Sequence, residues 1–293
     1  MAIKQIGWNI VGAASRMWCT QKTNKHQGCL LALLLCVLPL AAQDSLQLQK
    51  QTTTVRLLGI GHVNQLDTYL SPETYMGQEL RYVSQIVKEN GSKYAREMVH
   101  QANISFTKNR NQNNSELGGF YNFQYNVLRT LGNWQLSKGR LLLKVGGGGD
   151  ANIGFLYNAR NSNNPAQVYA ALNLTANVDL SYRFRIGNRP LQLRYGLQLP
   201  FLGMRYSPNY GQSYYEIFVE GDYDRNLVAT TPWSAPSLRH QLTIDIGFST
   251  TALRLGFLGD YQQAKVNHLR FHTWSNLFVV GFVKRFSVVK LHP

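Results

Sequence analysis

Downstream of residue 43 the side chains suited to proton transfer or metal ligation are few and scattered. His62, His100, His240, His268 and His272 fall at spacings that build no recognisable site. The chain has no G-x-S-x-G to expose a nucleophile, no H-E-x-x-H to hold zinc and no P-loop. All three cysteines, Cys19, Cys29 and Cys36, precede residue 43, which excludes thiolate metal sites beyond it. The run GGGGD, 146–150, could cradle a phosphate only if it opened a helix. It interrupts a strand-like pattern instead, so its glycines are read as bending a wall or admitting close packing. No catalytic residue, cofactor or metal site follows, and a membrane-embedded hydrolase has no Ser, His and Asp set that spacing can assemble.

The charges are more informative. Lys144, Asp150, Asp179, Arg183, Arg194, Arg239, Asp245, Arg254 and Asp260 all fall on the polar parity of alternating segments. Such a set means either a selective pore or ligand site, or a salt-bridged plug. A barrel of ~8–10 strands leaves little open lumen, which favours the plug. A hairpin turning at 249–251 brings Asp245 and Arg254 nearly opposite on the inner face, and the two are expected to pair.

The elements that carry these charges read as strands. In 168–184, VYAALNLTANVDLSYRF, even positions run Val168, Ala170, Leu172, Leu174, Ala176, Val178, Leu180, Tyr182, Phe184. Odd positions are mostly polar, so one face is apolar and the other is not. At ~3.3 Å per residue such a strand spans roughly 55 Å. The pattern recurs in 141–157, 191–201 and 238–248, and also in 98–106, 117–127 and 253–261. It is least clean in 54–66 and 79–88. His240 shares the apolar parity and is placed at an interface. A soluble sandwich alternates too, but strand length, an apparent export signal and charges of both signs on the polar face favour a transmembrane antiparallel β-barrel. Tyr182, Phe184, Phe201, Phe248 and Tyr261 near segment ends fit its aromatic girdles.

Short turns are expected at 89–93, 186–190 and 249–251, with a longer connection at 130–140. Outer loops are expected at 67–77, 108–116, 159–165, 207–236 and 263–267. This alternation gives ten strands, or twelve if YYEIFVEGDY within 207–236 hides a hairpin.

Residues 29–42, CLLALLLCVLPLAA, form an apolar run behind a basic, acid-free segment. They read as a signal peptide, 1–42, cleaved after Ala42, with Met17 as an alternative start. Residues 43–53 are then a short periplasmic lead, 54–286 the barrel and 287–293 a tail. The net charge is +15, and the chain beyond residue 43 keeps 26 Lys and Arg against 15 Asp and Glu, a net of +11. No basic run interleaved with aromatics occurs, so the charge points to an anionic membrane surface and not to nucleic acid. The last segment, 276–286, ends in Phe286 and resembles the closing-strand signal of bacterial outer-membrane barrels. That likeness implies the barrel-assembly machinery as a partner, although SVVKLHP follows it.

The stretch 58–82, LGIGHVNQLDTYLSPETYMGQELRY, resembles a family of β-barrel proteins of unknown function from Bacteroidetes-type bacteria. Asp67, Tyr69, Ser71, Pro72, Tyr75 and Gly77 of its D-T-Y-L-S-P…Y-x-G core carry the likeness. The resemblance implies an outer-membrane barrel of a Gram-negative bacterium and brings no activity with it. Locally, Ser71 and Pro72 suit the start of a helical turn. Tyr69, Tyr75 and Tyr82 suit a membrane–water boundary, and Gly77 suits a chain reversal. The leading expectation is a non-enzymatic barrel with a structural or interaction role, in contact with outer-membrane lipid and lipopolysaccharide, its ligand unknown. A narrow solute channel, a hydrolase and a soluble periplasmic β-domain are the alternatives.

Overall fold

The structure is a computed structural model that describes residues 50–90, 93–158, 160–161, 164–248 and 251–287. The expected signal peptide, its cleavage after Ala42 and most of the lead lie outside these residues, as does the tail beyond Ser287.

Alternation becomes strand in every segment where it was read. The strands are β1 Lys50–Asp67, β2 Tyr75–Asn90, β3 Tyr94–Asn109, β4 Ser115–Leu136, β5 Gly139–Asn158 and β6 Ala166–Ile186. They continue as β7 Arg189–Tyr206, a short β8 Leu227–Thr230, β9 Leu238–Gly247, β10 Thr251–Val266 and β11 Leu269–Ser287. All pairings are antiparallel. β1 closes on β11, and β6 pairs with β7, so the sheet has no free seam. β8 caps the loop-end edge of β7, ahead of β9 on the same side. Ten strands therefore form the wall. YYEIF is not a strand: Tyr214–Phe218 forms the short helix α1, with Ser213 and Glu216 making a reciprocal capping box. The twelve-strand alternative is thereby removed.

Shear follows from the register. From Leu58, direct partners lead through Tyr82, Ala102, Tyr121 and Ile153 to Ala170 on β6. The other way round, Val280, Leu255, Ile244 and Leu193 lead to Tyr182 on the same strand. The two arrivals differ by twelve residues. Ten strands with that stagger tilt by about 40° and enclose a backbone cylinder of about 10 Å radius, given strand spacings of ~4.8 Å. Side chains from opposite walls meet across such a lumen.

On β6, Val168, Leu172, Leu174 and Leu180 face outward, while Gln167, Asn177, Asp179 and Ser181 are buried. The outward faces of the other strands carry Leu58, Ile60, Phe106, Ile153, Phe201, Leu242, Phe278 and Phe282. An apolar exterior around a polar interior inverts the soluble arrangement and is the transmembrane-barrel pattern. Part of the interior is apolar too: Val55, Leu57, Val83, Leu277, Val279 and Val283 pack together along β1, β2 and β11.

Several local expectations are corrected. Residues 130–136 continue β4, with a register shift between Thr130 and Gly132, so the connection is only Ser137–Lys138. β10 runs through 263–266, and its connection to β11 is the two-residue turn Asn267–His268, both with positive φ. No helical turn starts at Ser71. The chain turns at 68–70, where the Asp67 carboxylate accepts from Tyr69 N at 2.9 Å and Ser71 Oγ accepts from Glu73 N at 3.2 Å. Gly77 does not reverse the chain. It lies inside β2, where a Cβ would stand 2.0 Å from the Phe106 carbonyl oxygen. Gly146 in the GGGGD run likewise admits β4, since a Cβ there would meet Val127 O at 1.9 Å.

Candidate functional site

The lumen holds two tiers of buried charge. Near the turn end, Arg254 grips Asp245 with Nε to Oδ1 at 2.5 Å and Nη2 to Oδ2 at 2.8 Å. These residues are direct register partners on β9 and β10, and both are buried. Arg285 reaches the same carboxylate at 3.2 Å. Arg194 binds Glu97 at 3.0 Å and also pairs with Asp179. Lys144 pairs with Glu89. Gln85 ties the tier together: its amide nitrogen donates to Glu97 at 2.5 Å, and its oxygen accepts from Arg194 at 3.2 Å and Arg254 at 3.3 Å.

Nearer the loop end, Asp260 bridges two arginines, Arg81 at 2.6 Å and Arg239 at 3.2 Å. Arg81 also binds Glu79 at 2.7 Å and donates to Gln101 at 3.2 Å. Arg239 also binds Asp150 at 2.9 Å and donates to Gln198 at 2.8 Å. Asp150 in turn accepts from Asn122 at 2.9 Å and Asn173 at 3.1 Å.

Four of these pairs cross the lumen. Arg81 and Asp260 stand on β2 and β10, Arg194 and Glu97 on β7 and β3, Lys144 and Glu89 on β5 and β2, and Arg239 and Asp150 on β9 and β5. No two of these partners sit on hydrogen-bonded neighbours. The spaces left among the crossing pairs are about 30 Å³ and about 70 Å³, enough for one or a few waters, while the turn-end mouth keeps a space of about 400 Å³ lined by Gln192, Asp245 and Arg285.

Above the upper tier Phe120, Tyr169 and Phe271 form an aromatic shelf, with Tyr169 and Phe271 stacked at 4.8 Å. Tyr75 lies above this, 1 % exposed. It faces inward and is not a boundary residue. Its hydroxyl accepts from Asn114 at 2.8 Å and Asn158 at 2.9 Å and donates to Ser71 at 3.2 Å, which fastens the first loop. Tyr69 packs edge-on against Tyr214 of α1 at 5.7 Å. Burial, with Tyr206, Asp67 and Glu216 nearby, pushes the Tyr69 phenol up to about 12. Burial likewise pushes Tyr214 up, and its hydroxyl donates to Gln167 at 2.6 Å. Of the three tyrosines, only Tyr82 is outward and largely exposed.

Eight of the nine charges read from the sequence point into this interior: Lys144, Asp150, Asp179, Arg239, Asp245, Arg254 and Asp260 are buried, and Arg194, though partly exposed, is held by Glu97 and Asp179. Arg183 does not. It is exposed at the turn-end rim and donates to Gln192 at 3.3 Å, because β6 there extends past the filled section. Of the loop residues, Asp67 and Tyr75 are buried, Tyr69 is half-buried, and Pro72 is exposed. Missed were Glu79, Arg81, Glu89, Glu97, Glu116 and Arg205. The first four sit on β2 and β3, whose alternation is blurred by interior valines and exterior polar residues. Among the described residues, no three His, Cys, Asp or Glu side chains gather as metal ligands would. His240 lies on the outer face among Tyr195, Phe257 and Tyr261.

Residues 29–293 match the family described as "Protein of unknown function (DUF3316)". No curated protein matches the sequence. Among solved structures, the chain is similar to the outer membrane protease OmpT from Escherichia coli, with TM-score 0.46 and 7% identity, over 84% of this chain and 99% of that one. The transport unit of the autotransporter AIDA-I from Escherichia coli gives TM-score 0.46 and 9% identity over 89% and 97%. The translocator domain of the autotransporter NalP from Neisseria meningitidis gives 0.34 and 10% over 94% and 97%.

Proposed function

The chain belongs to the DUF3316 family, and from that premise we propose that it is an outer-membrane barrel with a closed lumen, whose role is structural or interactive and not conductive or catalytic. The observation that carries this reading is the set of ion pairs spanning the lumen between strands that are not neighbours. A solute would have to part them, and separating a buried pair costs about 3–5 kcal/mol each. The function is therefore sought on the outer wall and at the two ends.

The wall supports lipid as the surrounding medium. On β3, outward Met98 to Phe106 is bounded by Arg96 and Lys108; on β11, Phe278 to Phe282 is bounded below by Lys284. Lys108 at the loop-end border suits the anionic groups of lipopolysaccharide, which we propose as the contact for the positive charge at that end, while Arg96 and Lys284 suit anionic phospholipid headgroups at the other border. The closing strand β11, ending in Phe286 and Ser287, is proposed as the segment the barrel-assembly machinery reads.

Reconstitution in planar bilayers tests the closed lumen. Wild type is expected to give no stepwise current. The triple variant Arg81→Ala, Arg239→Ala, Asp260→Ala, which empties the upper tier, is expected to flicker if it inserts. Stepwise current from wild type would select the narrow-channel reading and sink this one. Heat-modifiable gel migration and fractionation with the outer membrane test the address; a protein that fractionates with the periplasm and migrates unchanged on heating is a soluble β-domain.

A further inference from the structure

Arg205 differs from the other arginines of the filled lumen. Arg81, Arg194, Arg239 and Arg254 each hold at least one carboxylate. Arg205 is 6% exposed, yet it makes no ion pair and no hydrogen bond with another described residue, and its Nε is buried without a partner. Its guanidinium carbon lies 4.5 Å from the centroid of Tyr169 and 4.1 Å from that of Phe271. Cation–π contact with the two rings attracts the guanidinium. Desolvating an unpaired ion costs more than such contacts return. The rings alone do not offset that cost. Asp67 is near enough to attract Arg205 through space but forms no ion pair with it, and its Oδ1 accepts from Tyr69 N.

The inward aim of Arg205 depends on a break in β7. Up to Phe201 the odd positions of this strand face outward: Leu193, Tyr195, Leu199 and Phe201 are exposed. The register with β6 then shifts by one between Leu174 and Thr175. Past the shift it is Leu202 and Met204 that face out, and Arg205 turns in. Without the bulge Arg205 would point into lipid. Bulges of this kind recur where a side chain is re-aimed at a site. Here the bulge borders a cavity of about 20 Å³, lined by Arg205 and by Asn173, Thr230, Ser237 and Gln262. That is room for one small ion or the end group of a longer ligand. No carboxylate lines this cavity, and Thr230 adds a hydroxyl to the guanidinium, whereas Asn173 and Gln262 already donate to Asp150 and Asp260, and Ser237 to Gln263 O.

We propose that Arg205 and this cavity form a binding site for a small carboxylate anion, formate- or acetate-sized, or the carboxylate end of a longer ligand entering from the loop end. The planar guanidinium matches a carboxylate with two parallel N–H donors, which a spherical halide cannot use. The site is distinct from the closed lumen, because Arg205 takes no part in the upper tier of ion pairs, although Asn173 and Gln262 of the lining hydrogen-bond that tier's Asp150 and Asp260.

The probe is 13C-labelled formate, its line width followed by NMR as full-length protein folded in detergent is titrated. Wild type is expected to give saturable broadening. Arg205→Met should weaken binding at least ten-fold, Thr230→Val several-fold, and Arg183→Gln at the far rim should leave it unchanged. Folding of each variant is checked by heat-modifiable migration, and Thr230→Val decides if Arg205→Met does not fold. Absence of saturable broadening in wild type would overturn the proposal, as would equal loss in Arg183→Gln. Displacement by an equal concentration of chloride would also overturn it, since the pocket would then be reading charge alone.

Discussion

Truncating Asp245 to alanine strands a buried cation, and the cost can be worked from its surroundings. Arg254 loses two hydrogen bonds, at 2.5 and 2.8 Å, and keeps one to Gln85 at 3.3 Å. Its side chain is 3% exposed, so water cannot replace the carboxylate without opening the wall. Breaking a buried pair from one side costs about 3–5 kcal/mol, and the retained amide contact offsets roughly 1 kcal/mol at most. Arg285 also loses this carboxylate but is 36% exposed and already solvated, which adds about 0–1 kcal/mol. Asp245→Ala is therefore expected to destabilise by about 3–4 kcal/mol. The double variant Asp245→Leu, Arg254→Met removes both charges and refills the volume, and should return to within about 1 kcal/mol of wild type. The assay is reversible urea unfolding from lipid vesicles at neutral pH, followed by tryptophan fluorescence, with the coupling read from the double-mutant cycle. A single variant within about 0.5 kcal/mol of wild type would refute the argument, because it would place the pair in water or the two side chains on opposite faces. A double variant as unstable as the single one would show that the carboxylate does something other than neutralise Arg254.

Three further outcomes follow from the same geometry. Leu174→Arg, at an outward and half-exposed position on β6, should cost about 2–4 kcal/mol in a bilayer and be nearly neutral in a soluble sandwich; urea unfolding from vesicles reads the difference. Gly146→Ala, whose Cβ would meet Val127 O at 1.9 Å, should destabilise by about 2 kcal/mol or more, whereas Gly149→Ala, with nothing within 4 Å, should change stability by less than about 0.5 kcal/mol. Tyr75→Phe removes a hydroxyl shared by Asn114, Asn158 and Ser71, and should cost about 1–3 kcal/mol and speed proteolysis within 68–74 in intact vesicles.

What could be read from the sequence was whatever a strand fixes within itself or with the strand beside it. Period two on 168–184 placed Asp179 inside and Leu174 outside without any knowledge of neighbours. The short connection between β9 and β10 set the Asp245–Arg254 register, because it leaves the chain few ways to pair. Legibility failed where one strand answers to another. Gly77 looks like a turn residue until β3 is laid against it and the Phe106 carbonyl occupies the space a side chain would need. Tyr75 looks like an interfacial tyrosine until the parity of β2 turns it inward among Asn114 and Asn158. The parity of Arg205 was missed because the bulge at Phe201 exchanges the faces of β7 midway; Pro200, which flanks it, was the one local signal of an interrupted ladder.

The cross-lumen pairs lie one level further out, and they decide whether the barrel is a pore. Arg81 and Asp260 are 179 positions apart, and Arg194 and Glu97 are 97 apart. Neither pair shares a hairpin, so their meeting depends on strand number and shear together. Ten strands with a stagger of twelve residues give a cylinder of about 10 Å radius. An arginine side chain reaches on the order of 6–7 Å from its Cα, so an arginine from one wall and an acid from the opposite wall meet near the axis. A stagger two residues smaller or larger would slide opposite walls past each other by about one inward-facing position, and Arg81 would face Leu258 or Gln262 in place of Asp260. The composition of the interior is therefore matched to one closure of the sheet. Long, paired side chains fill a width that aliphatic residues alone span only beside β1 and β11, where Val55, Leu57, Leu277 and Val279 pack. On the proposed reading, the charge that first looks like the lining of a channel is what closes it at this radius.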